Sequence, residues 1–510
     1  MRVNTQPETP TPAIRPWAAL WSMVLGFFMI LVDTTIVSVA NPSIMQGLET
    51  TMVATLWATS AYLLAYAVPL LITGRLGDRF GTRRIYLLGL AVFTLASLAC
   101  GLAHSIEMLI LARVAQGLGA SLMTPQTMAV ITRIFPPRER GSAMAVWGVT
   151  AGVATLVGPI LGGFLLDAWG WEWIFFINVP VGVLAFILAM RFVPKLPTSA
   201  HRFDWLGVIL SAVGMFLVVF GIQEGQSYEW GAIWGPVTIW GMIITGVVVL
   251  ALFVVWQRFQ RGEPLIPLQI FRDRNFSVGS AAIVTVGFSV TGMSLPLMFY
   301  LQLVRGQTPT QSALMMVPMA VLSIALARPV GLLIDRRDPR RIPVIGLVLV
   351  SAGMLGYVLL MHPDTPIWLL LIPSVILGVG NAFMWGPLAS LTTFSLKPSL
   401  AGAGSGVYNT SRQVGAVLGS AAMAMLMNSR ISALLGEQAA AGIGGGGEGG
   451  GGLAALPAPL QESFTTAMMQ SLMMPMGVIL VGAFIALWFA PRPARTGEIS
   501  VPDAAPSRSY

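Results

Sequence analysis

Asp33 is the residue of this chain best placed to do chemistry. Of 21 acidic side chains it alone stands well inside an apolar run. A carboxylate in hydrocarbon costs about 3 kcal/mol or more and by default marks an ion or proton path. The competing explanation is structural, a permanent pairing with a cation or the capping of a neighbouring helix. The cation at matching depth is Arg113, the only basic residue of its own run. At about 1.5 Å per helical residue, Asp33 lies ~24 Å from the start of its run, ~6 Å short of the far edge of a ~30 Å core. Arg113 lies ~8 Å in from the opposite direction. Burial disfavours a charged carboxylate and a nearby guanidinium favours it. That competition suits a group that takes up and releases a proton as access to it changes. The expectation is that Asp33 couples protons or binds a substrate cation, with Arg113 as its modulator.

Other polar and aromatic side chains fall on the same kind of run. Gln116 follows Arg113 at helical spacing. Arg412, with Asn409 beside it, stands ~14 Å inside a later run, and lining a substrate cavity and serving as a hydrogen-bond hub explain it equally well. Tyr62, Tyr66, Trp147, Phe383, Trp385 and Tyr408 are candidates to wall an apolar cavity for lipophilic or cationic ligands, although packing explains any one of them. No metal set exists, because His104, His201 and His362 are far apart and Cys100 is the single cysteine. Nor does the chain contain G-x-x-x-x-G-K-[ST], so a nucleotide has no phosphate loop to bind. No cofactor is expected, and an ion gradient is left as the energy source. One charge moved across ~100 mV supplies about 2.3 kcal/mol, a concentration ratio somewhat under a hundredfold.

The elements that must position these residues are membrane spans. The 510 residues are 55% apolar and 10% charged, with mean hydropathy +0.77, against about 25% charged in a soluble domain. Too few charges exist to cover a water-facing surface. Apolar stretches long enough to span recur at 17–41, 52–74, 85–103, 108–131, 142–166, 173–193, 205–222, 235–256, 277–301, 312–334, 343–361, 367–390, 403–428 and 466–490, fourteen in all. The first is too long for a signal-peptide core and lacks a small-residue cleavage pattern, so it reads as a span. Arginines cluster in alternate loops (Arg75 to Arg84, Arg133 to Arg140, Arg258 to Arg274, Arg336 to Arg341), while Arg305 and Arg430 stand in the others. By the positive-inside rule both tails, 1–16 and 491–510, are cytoplasmic and disordered. The net charge of +8 reflects this loop bias and not nucleic-acid binding. A Gly-rich outer loop, 429–465, reads as a flexible linker.

An internal repeat organises the spans. GRLGDRFGTRR (Gly74 to Arg84) matches GLLIDRRDPRR (Gly331 to Arg341) at six positions with an offset of 257, and VGPILG (Val157 to Gly162) matches VGAVLG (Val414 to Gly419) at the same offset. GLGASLM (Gly117 to Met123) resembles GVGNAFM (Gly378 to Met384) at 261. Two copies of a six-helix unit, 17–193 and 277–490, with two inserted linker helices at 205–256, follow from this. Paired repeats of that kind mark transporters that rock about a central site.

Five motifs now carry a resemblance: LVDTTIVSVANP (Leu31 to Pro42), GRLGDRFGTRR, LILARVAQGLGA (Leu109 to Ala120), GVTAGVATLVGPILGG (Gly148 to Gly163) and WEWIFFINVPVG (Trp171 to Gly182). In that order the chain resembles the major facilitator superfamily, and within it the 14-span drug:proton antiporter family of the EmrB/QacA type. The resemblance implies an all-α polytopic fold of fourteen transmembrane helices. It also implies that Gly74, Asp78 and Arg79, with Asp335 and Arg336 in the weaker second copy, form a conformational latch. Asp78 is suited to a helix N-terminus or an arginine across the half-interface. Gly148, Gly152, Gly158, Pro159, Gly162 and Gly163 match the family's antiporter helix, whose glycines four apart give a flat packing strip and whose proline bends it. The implied activity is proton-coupled export of lipophilic or cationic drugs or antibiotics across a bacterial plasma membrane, by a monomer. A same-fold exporter of an endogenous metabolite or lipid is the alternative, and whether a periplasmic partner docks stays open. A polytopic enzyme or receptor is disfavoured, since no convergent Ser/His, Asp/Asp or His-cluster chemistry stands in the spans.

Overall fold

In lipid, an unpaired backbone N–H or C=O costs several kcal/mol, so a run that is apolar on every side closes its own hydrogen bonds as a helix. The computed structural model describes residues 15–50, 52–136, 139–198, 204–225, 228–260, 264–336, 339–397, 400–436 and 457–491. Helices fill most of them. In chain order they are α1 (Pro16–Gly47), α2 (Met52–Ala67), α3 (Leu70–Phe80), α4 (Thr82–Gly101), α5 (Ile106–Ile134), α6 (Arg140–Trp169), α7 (Trp173–Phe176), α8 (Asn178–Phe192), α9 (Trp205–Glu224) and α10 (Ile239–Phe259). There follow α11 (Arg274–Phe299), α12 (Pro309–Leu314), α13 (Val317–Arg336), α14 (Arg341–Leu360), α15 (Ile367–Thr393), α16 (Ala401–Leu435) and α17 (Ala458–Ala486).

Among the described residues twelve helical stretches are long and apolar enough to cross a membrane, thirteen when the bent pair α2–α3 counts as one more span. The fifth apolar stretch of the sequence is the 30-residue α6, which is not among those thirteen. Several boundaries differ from the sequence reading. The chain bends by 46° between α2 and α3 at Pro69, which precedes α3 and has no N–H to continue the ladder. Most of GRLGDRFGTRR is therefore helix instead of loop. Its turn is concentrated at Gly81, whose φ of 96° suits glycine. The all-α expectation also needs one amendment, a two-stranded hairpin, β1 (Ala232–Trp234) with β2 (Val237–Thr238), ahead of α10. Finally, α16 runs on to Leu435 and α17 begins at Ala458. The loop expected to be outer is thus shorter than 429–465. Its Gly-rich centre lies outside the described residues, as do the tail residues 1–14 and 492–510.

The helices pack in recognisable neighbourhoods. α1 lies on α6 and α8, and α5 on α2 and α4; later in the chain α11 lies on α16 and α17, α14 on α15 and α17, and α13 on α15. α9 and α10 lie on each other. Met215, Val219 and Phe220 of α9 join Leu64 of α2 and, more peripherally, Val414 and Val417 of α16 in one apolar cluster. Contacts between early and late helices run through α6 with α13 and α15, and through α3 and α5 with α16.

Candidate functional site

Asp33 and Arg113 meet. Oδ2 of Asp33 accepts from Nη1 of Arg113 at 2.6 Å, and both side chains are wholly buried. The other carboxylate oxygen, Oδ1, accepts from Gln116 Nε2 at 2.8 Å and from Asn178 Nδ2 at 2.9 Å. Arg113 also donates from Nη1 to Gln116 Oε1 at 2.6 Å and from Nε to the Ala58 carbonyl at 3.4 Å. Ser97 closes the ring. Its hydroxyl accepts from both Gln116 and Asn178 and donates to the Phe175 carbonyl at 3.0 Å. Cys100 sits beside them, its Sγ 3.7 Å from Gln116 Oε1.

Four helices supply these groups. Asp33 comes from α1, Ser97 and Cys100 from α4, Arg113 and Gln116 from one face of α5 at i, i+3, and Asn178 from the first residue of α8. The break between α7 and α8 falls at Ile177, so Asn178 stands at a helix start, close to the depth of the carboxylate. The sequence reading missed Asn178 and Ser97. The available signal was a polar amide inside WEWIFFINVPVG, a motif counted only for resemblance. Gln116, expected in the substrate cavity, makes its side-chain bonds within the Asp33 cluster.

A second chain of contacts leads away from the carboxylate. The Arg113 guanidinium lies 4.0 Å from the centre of the Tyr62 ring, an attraction worth about 2 kcal/mol when desolvated. Tyr62 stacks on Tyr66 with ring centres 6.1 Å apart. The Tyr66 hydroxyl accepts from Arg412 Nη2 at 3.4 Å and lies 3.2 Å from the Thr124 hydroxyl. Two intramembrane arginines, 299 positions apart by number (412 less 113), are thereby bridged by two stacked phenols. Tyr62 and Tyr66, expected as cavity wall, form this bridge.

Trp147, Trp385 and Tyr408 share one apolar cluster with Phe27 and Met128; Trp147 stacks on Phe27 with ring centres 5.1 Å apart. Asn409 is buried and donates to the Ser405 carbonyl at 2.9 Å. Among the described residues, Trp147 Nε1, the Tyr408 hydroxyl, Asn409 Oδ1 and Arg412 Nε are buried without a hydrogen-bond partner. Orphaned groups of this kind favour a polar ligand or water. Phe383 is not brought to them. It packs with Val330, Ile334 and Ile342 between α13 and α14, because its position on α15 turns it away from the Trp385 side.

At the end of the molecule that carries the arginine loops, Asp78 accepts from Arg133 at 2.5 Å and from the backbone N–H groups of Gly402 (3.2 Å) and Ala403 (3.1 Å), the start of α16. A carboxylate there complements the helix dipole and its unpaired donors. Arg75 donates to the Leu265 and Pro264 carbonyls at 2.9 and 2.6 Å. Gly74 abuts the backbone of Gly402 and Gly406. Arg79, expected in the latch, has its guanidinium 5.2 Å from the Phe80 ring, while Arg133 is the arginine on Asp78. The side chains of Asp335 and Arg336 lie outside the described residues.

On α6, Gly148 faces Trp385 and the backbone of Gly386, Gly158 faces Thr35 and Val32, Gly162 faces Ile36 and Gly163 lies near Thr310. The surroundings of Gly152 and Pro159 are outside what the structure describes. The strip joins α1 on one side to α15 on the other. Gly148→Leu forces a side chain into the α15 backbone and is expected to lower stability by about 1–3 kcal/mol, read by denaturant unfolding in detergent, with transport falling in parallel. Unchanged unfolding would mean that α6 and α15 are not in fixed contact there.

The sequence matches the Major Facilitator Superfamily over residues 23–420. It is 51% identical to an uncharacterized MFS-type transporter of Mycobacterium tuberculosis (strain ATCC 25618 / H37Rv), over 93% of this chain and 81% of that one. It is 34% identical to the tetracenomycin C resistance and export protein of Streptomyces glaucescens, over 83% and 78% of the two chains. To multidrug resistance protein Stp of M. tuberculosis (strain CDC 1551 / Oshkosh) it is 35% identical, over 81% and 76%. The fold is that of the proton:xylose symporter XylE, with a TM-score of 0.60 at 13% identity, covering 92% of this chain and 94% of that structure. The chain is therefore a multi-pass membrane protein that belongs to the major facilitator superfamily, a family of transporters rather than enzymes.

Proposed function

We propose that this protein is a proton-coupled antiporter that exports lipophilic or cationic drugs and antibiotics across the bacterial plasma membrane, and that it is of the 14-span EmrB/QacA type. In this reading α6 supplies the remaining span. Residues 17–193 and 277–490 are two six-helix bundles, α9 and α10 are inserted linker helices, and both termini face the cytoplasm. The protein works as a monomer. Relatives named for tetracenomycin C export and multidrug resistance support the substrate class and the outward direction.

One observation carries the coupling: Asp33, among the described residues the carboxylate buried deep in a span, is held by three side-chain donors, one of them a guanidinium. Protonating Asp33 removes its charge and weakens all three bonds together, because charge-assisted bonds are about twice as strong as neutral ones. Arg113 is then released toward Tyr62, and the Tyr66–Arg412 contact gives that change a route to α16. Gly74, Asp78 and Arg133 hold the cytoplasmic ends of α3 and α16 together in the outward-directed half of the cycle. Trp147, Trp385, Tyr408, Asn409 and Arg412 line the substrate path.

The test is efflux of a lipophilic cationic dye from energised cells, repeated in inverted vesicles with an imposed pH gradient. Dye should move against its gradient only while the proton gradient stands, and a protonophore should bring accumulation to the level of vesicles lacking the protein. Uphill transport that survives the protonophore refutes proton coupling. A second reading, export of a compound that the host itself makes, is favoured by the tetracenomycin C export protein among the relatives. It predicts poor dye transport and strong competition by a host extract.

A further inference from the structure

The connection from the inserted helices to the second part of the chain is bonded from both sides. Residues 264–272 lead to Asp273, the N-cap of α11, and contain a 3₁₀ turn at Leu268–Arg272. A surface connection ordinarily leaves its backbone to water. Here Leu265 and Ile270 are buried, and side chains of other elements reach in to the backbone. The Pro264 and Leu265 carbonyls accept from Arg75 of α3 at 2.6 and 2.9 Å. The Ile266 N–H donates to Gln257 Oε1 of α10 at 3.0 Å. Gln257 in turn donates at 2.6 Å to Oδ2 of Asp204, the N-cap of α9. Oδ1 of Asp204 accepts from Trp256 Nε1 and from the Gly207 N–H, both at 2.9 Å. Arg75, Gln257 and Asp204 are all buried. Burying a guanidinium is costly unless its donors are met, so the loop charge bias that the sequence assigns to Arg75 does not account for its place.

The other face of the connection is apolar. Ile266 and Ile270 enter one cluster with Leu71 of α3, Phe276 of α11 and Val407 of α16. The segment therefore lies in the seam where α3 meets α16, next to Gly74 and Asp78, which flank Arg75 along α3. Its polar anchors are on α3 and the inserted pair, and its apolar side is shared with α11 and α16. The internal repeat supplies an independent argument. When GRLGD is laid on GLLID, Arg75 falls on Leu332. The arginine is thus no part of what the two copies share, and it stands in the copy that meets this segment.

We propose that residues 264–272 are a strap across the α3–α16 seam and that Arg75 is the positioning residue that fastens it. Held on Arg75 and Gln257, the strap keeps Ile266 and Ile270 packed against both helices and opposes their separation. Released from Arg75, it leaves α3 together with α11, to which it is covalently joined, and the seam opens. The inserted pair is thereby a working part of the closure and not a spacer. The proposal rests on the reading of this seam as the closure, but on neither proton coupling nor a particular substrate.

The experiment has two readouts on the full chain in a Cys100→Ser background. Spin labels at Gln269→Cys on the strap and Phe80→Cys at the end of α3, both exposed positions, report the strap itself. They should give a single narrow distance in the otherwise unaltered chain and a second, longer population with Arg75→Gln. Thiol labelling of Ser405→Cys, buried on α16 where it faces α5, reports the seam. Arg75→Gln should speed that labelling about tenfold, the shift for one lost charge-assisted bond, and Gln257→Met about fivefold, the shift for a neutral one. Arg75→Lys, which reaches a carbonyl as a single point donor, should restore most of the wild-type rate. Gln257→Met leaves Asp204 its Trp256 and Gly207 donors and becomes the deciding variant where Arg75→Gln does not fold. An unchanged distance distribution in the deciding variant overturns the proposal. So does unchanged labelling there while Asp78→Ala labels faster, an outcome that keeps the closure and strikes the strap alone. Unchanged labelling in Asp78→Ala as well removes the closure reading and the strap with it.

Discussion

Replacing Asp33 by asparagine should reduce the substrate concentration ratio held by energised vesicles from tens-fold to unity. One proton moved across ~100 mV supplies about 2.3 kcal/mol, which sustains a ratio somewhat under a hundredfold. A side chain that cannot take up a proton cannot tap that energy. The substitution keeps the shape and loses the chemistry. The carboxylate accepts from Arg113, Gln116 and Asn178, whereas an asparagine amide turns one of its two acceptors into a donor facing other donors. Arg113, wholly buried, is left without its counter-charge, a loss of about 3–5 kcal/mol when one member of a buried pair is removed. The double variant Asp33→Asn, Arg113→Gln should therefore unfold later than Asp33→Asn alone while remaining unable to pump. Proton-driven efflux at the wild-type level in Asp33→Asn would end the assignment. Equal unfolding of the single and double variants would show that the pair is not coupled in the folded protein.

Asp78→Ala should open the end at which α3 meets α16, the cytoplasmic end in the proposed topology. Asp78 holds Arg133 and the first N–H groups of α16 together. Each charge-assisted bond contributes about 1.5–3 kcal/mol, so losing even one of them shifts a two-state equilibrium about tenfold to a hundredfold. The measurement uses the scarcity of cysteine. Cys100, the single one, is buried, so a cysteine-free background needs one change. Ser405 is buried and donates to the Pro125 carbonyl at 2.7 Å, a contact between α16 and α5 inside the closed end. Ser405→Cys should react with a membrane-impermeant thiol reagent at least tenfold faster from the cytoplasmic side when Asp78 is alanine. Gly74→Leu, which drives a side chain into the α16 backbone, should act in the same direction. Unaltered labelling in both would show that α3 and α16 do not form the closure.

The organisation of the chain was largely legible without coordinates. Hydropathy is a local property, and a bilayer allows helices as the way to satisfy a long apolar run, so the twelve to thirteen candidate spans among the described residues followed from composition. The shared depth of Asp33 and Arg113 followed from counting residues. Length and hydropathy alone did not mark where a span bends. Pro69 was visible, but the sequence does not say that α3 continues past it through Asp78. What only the tertiary structure decided was which faces meet. Asn178 reaches Asp33 because a break at Ile177 starts α8 at the right depth, and Ser97 joins because α4 presents that face to α5. Tyr62 and Tyr66 bridge Arg113 and Arg412, while Phe383 turns away from the aromatic cluster. Such choices depend on the rotation of each helix about its own axis. In runs that are apolar all round, no amphipathic stripe records that rotation, and it is set by close packing between helices far apart in the chain.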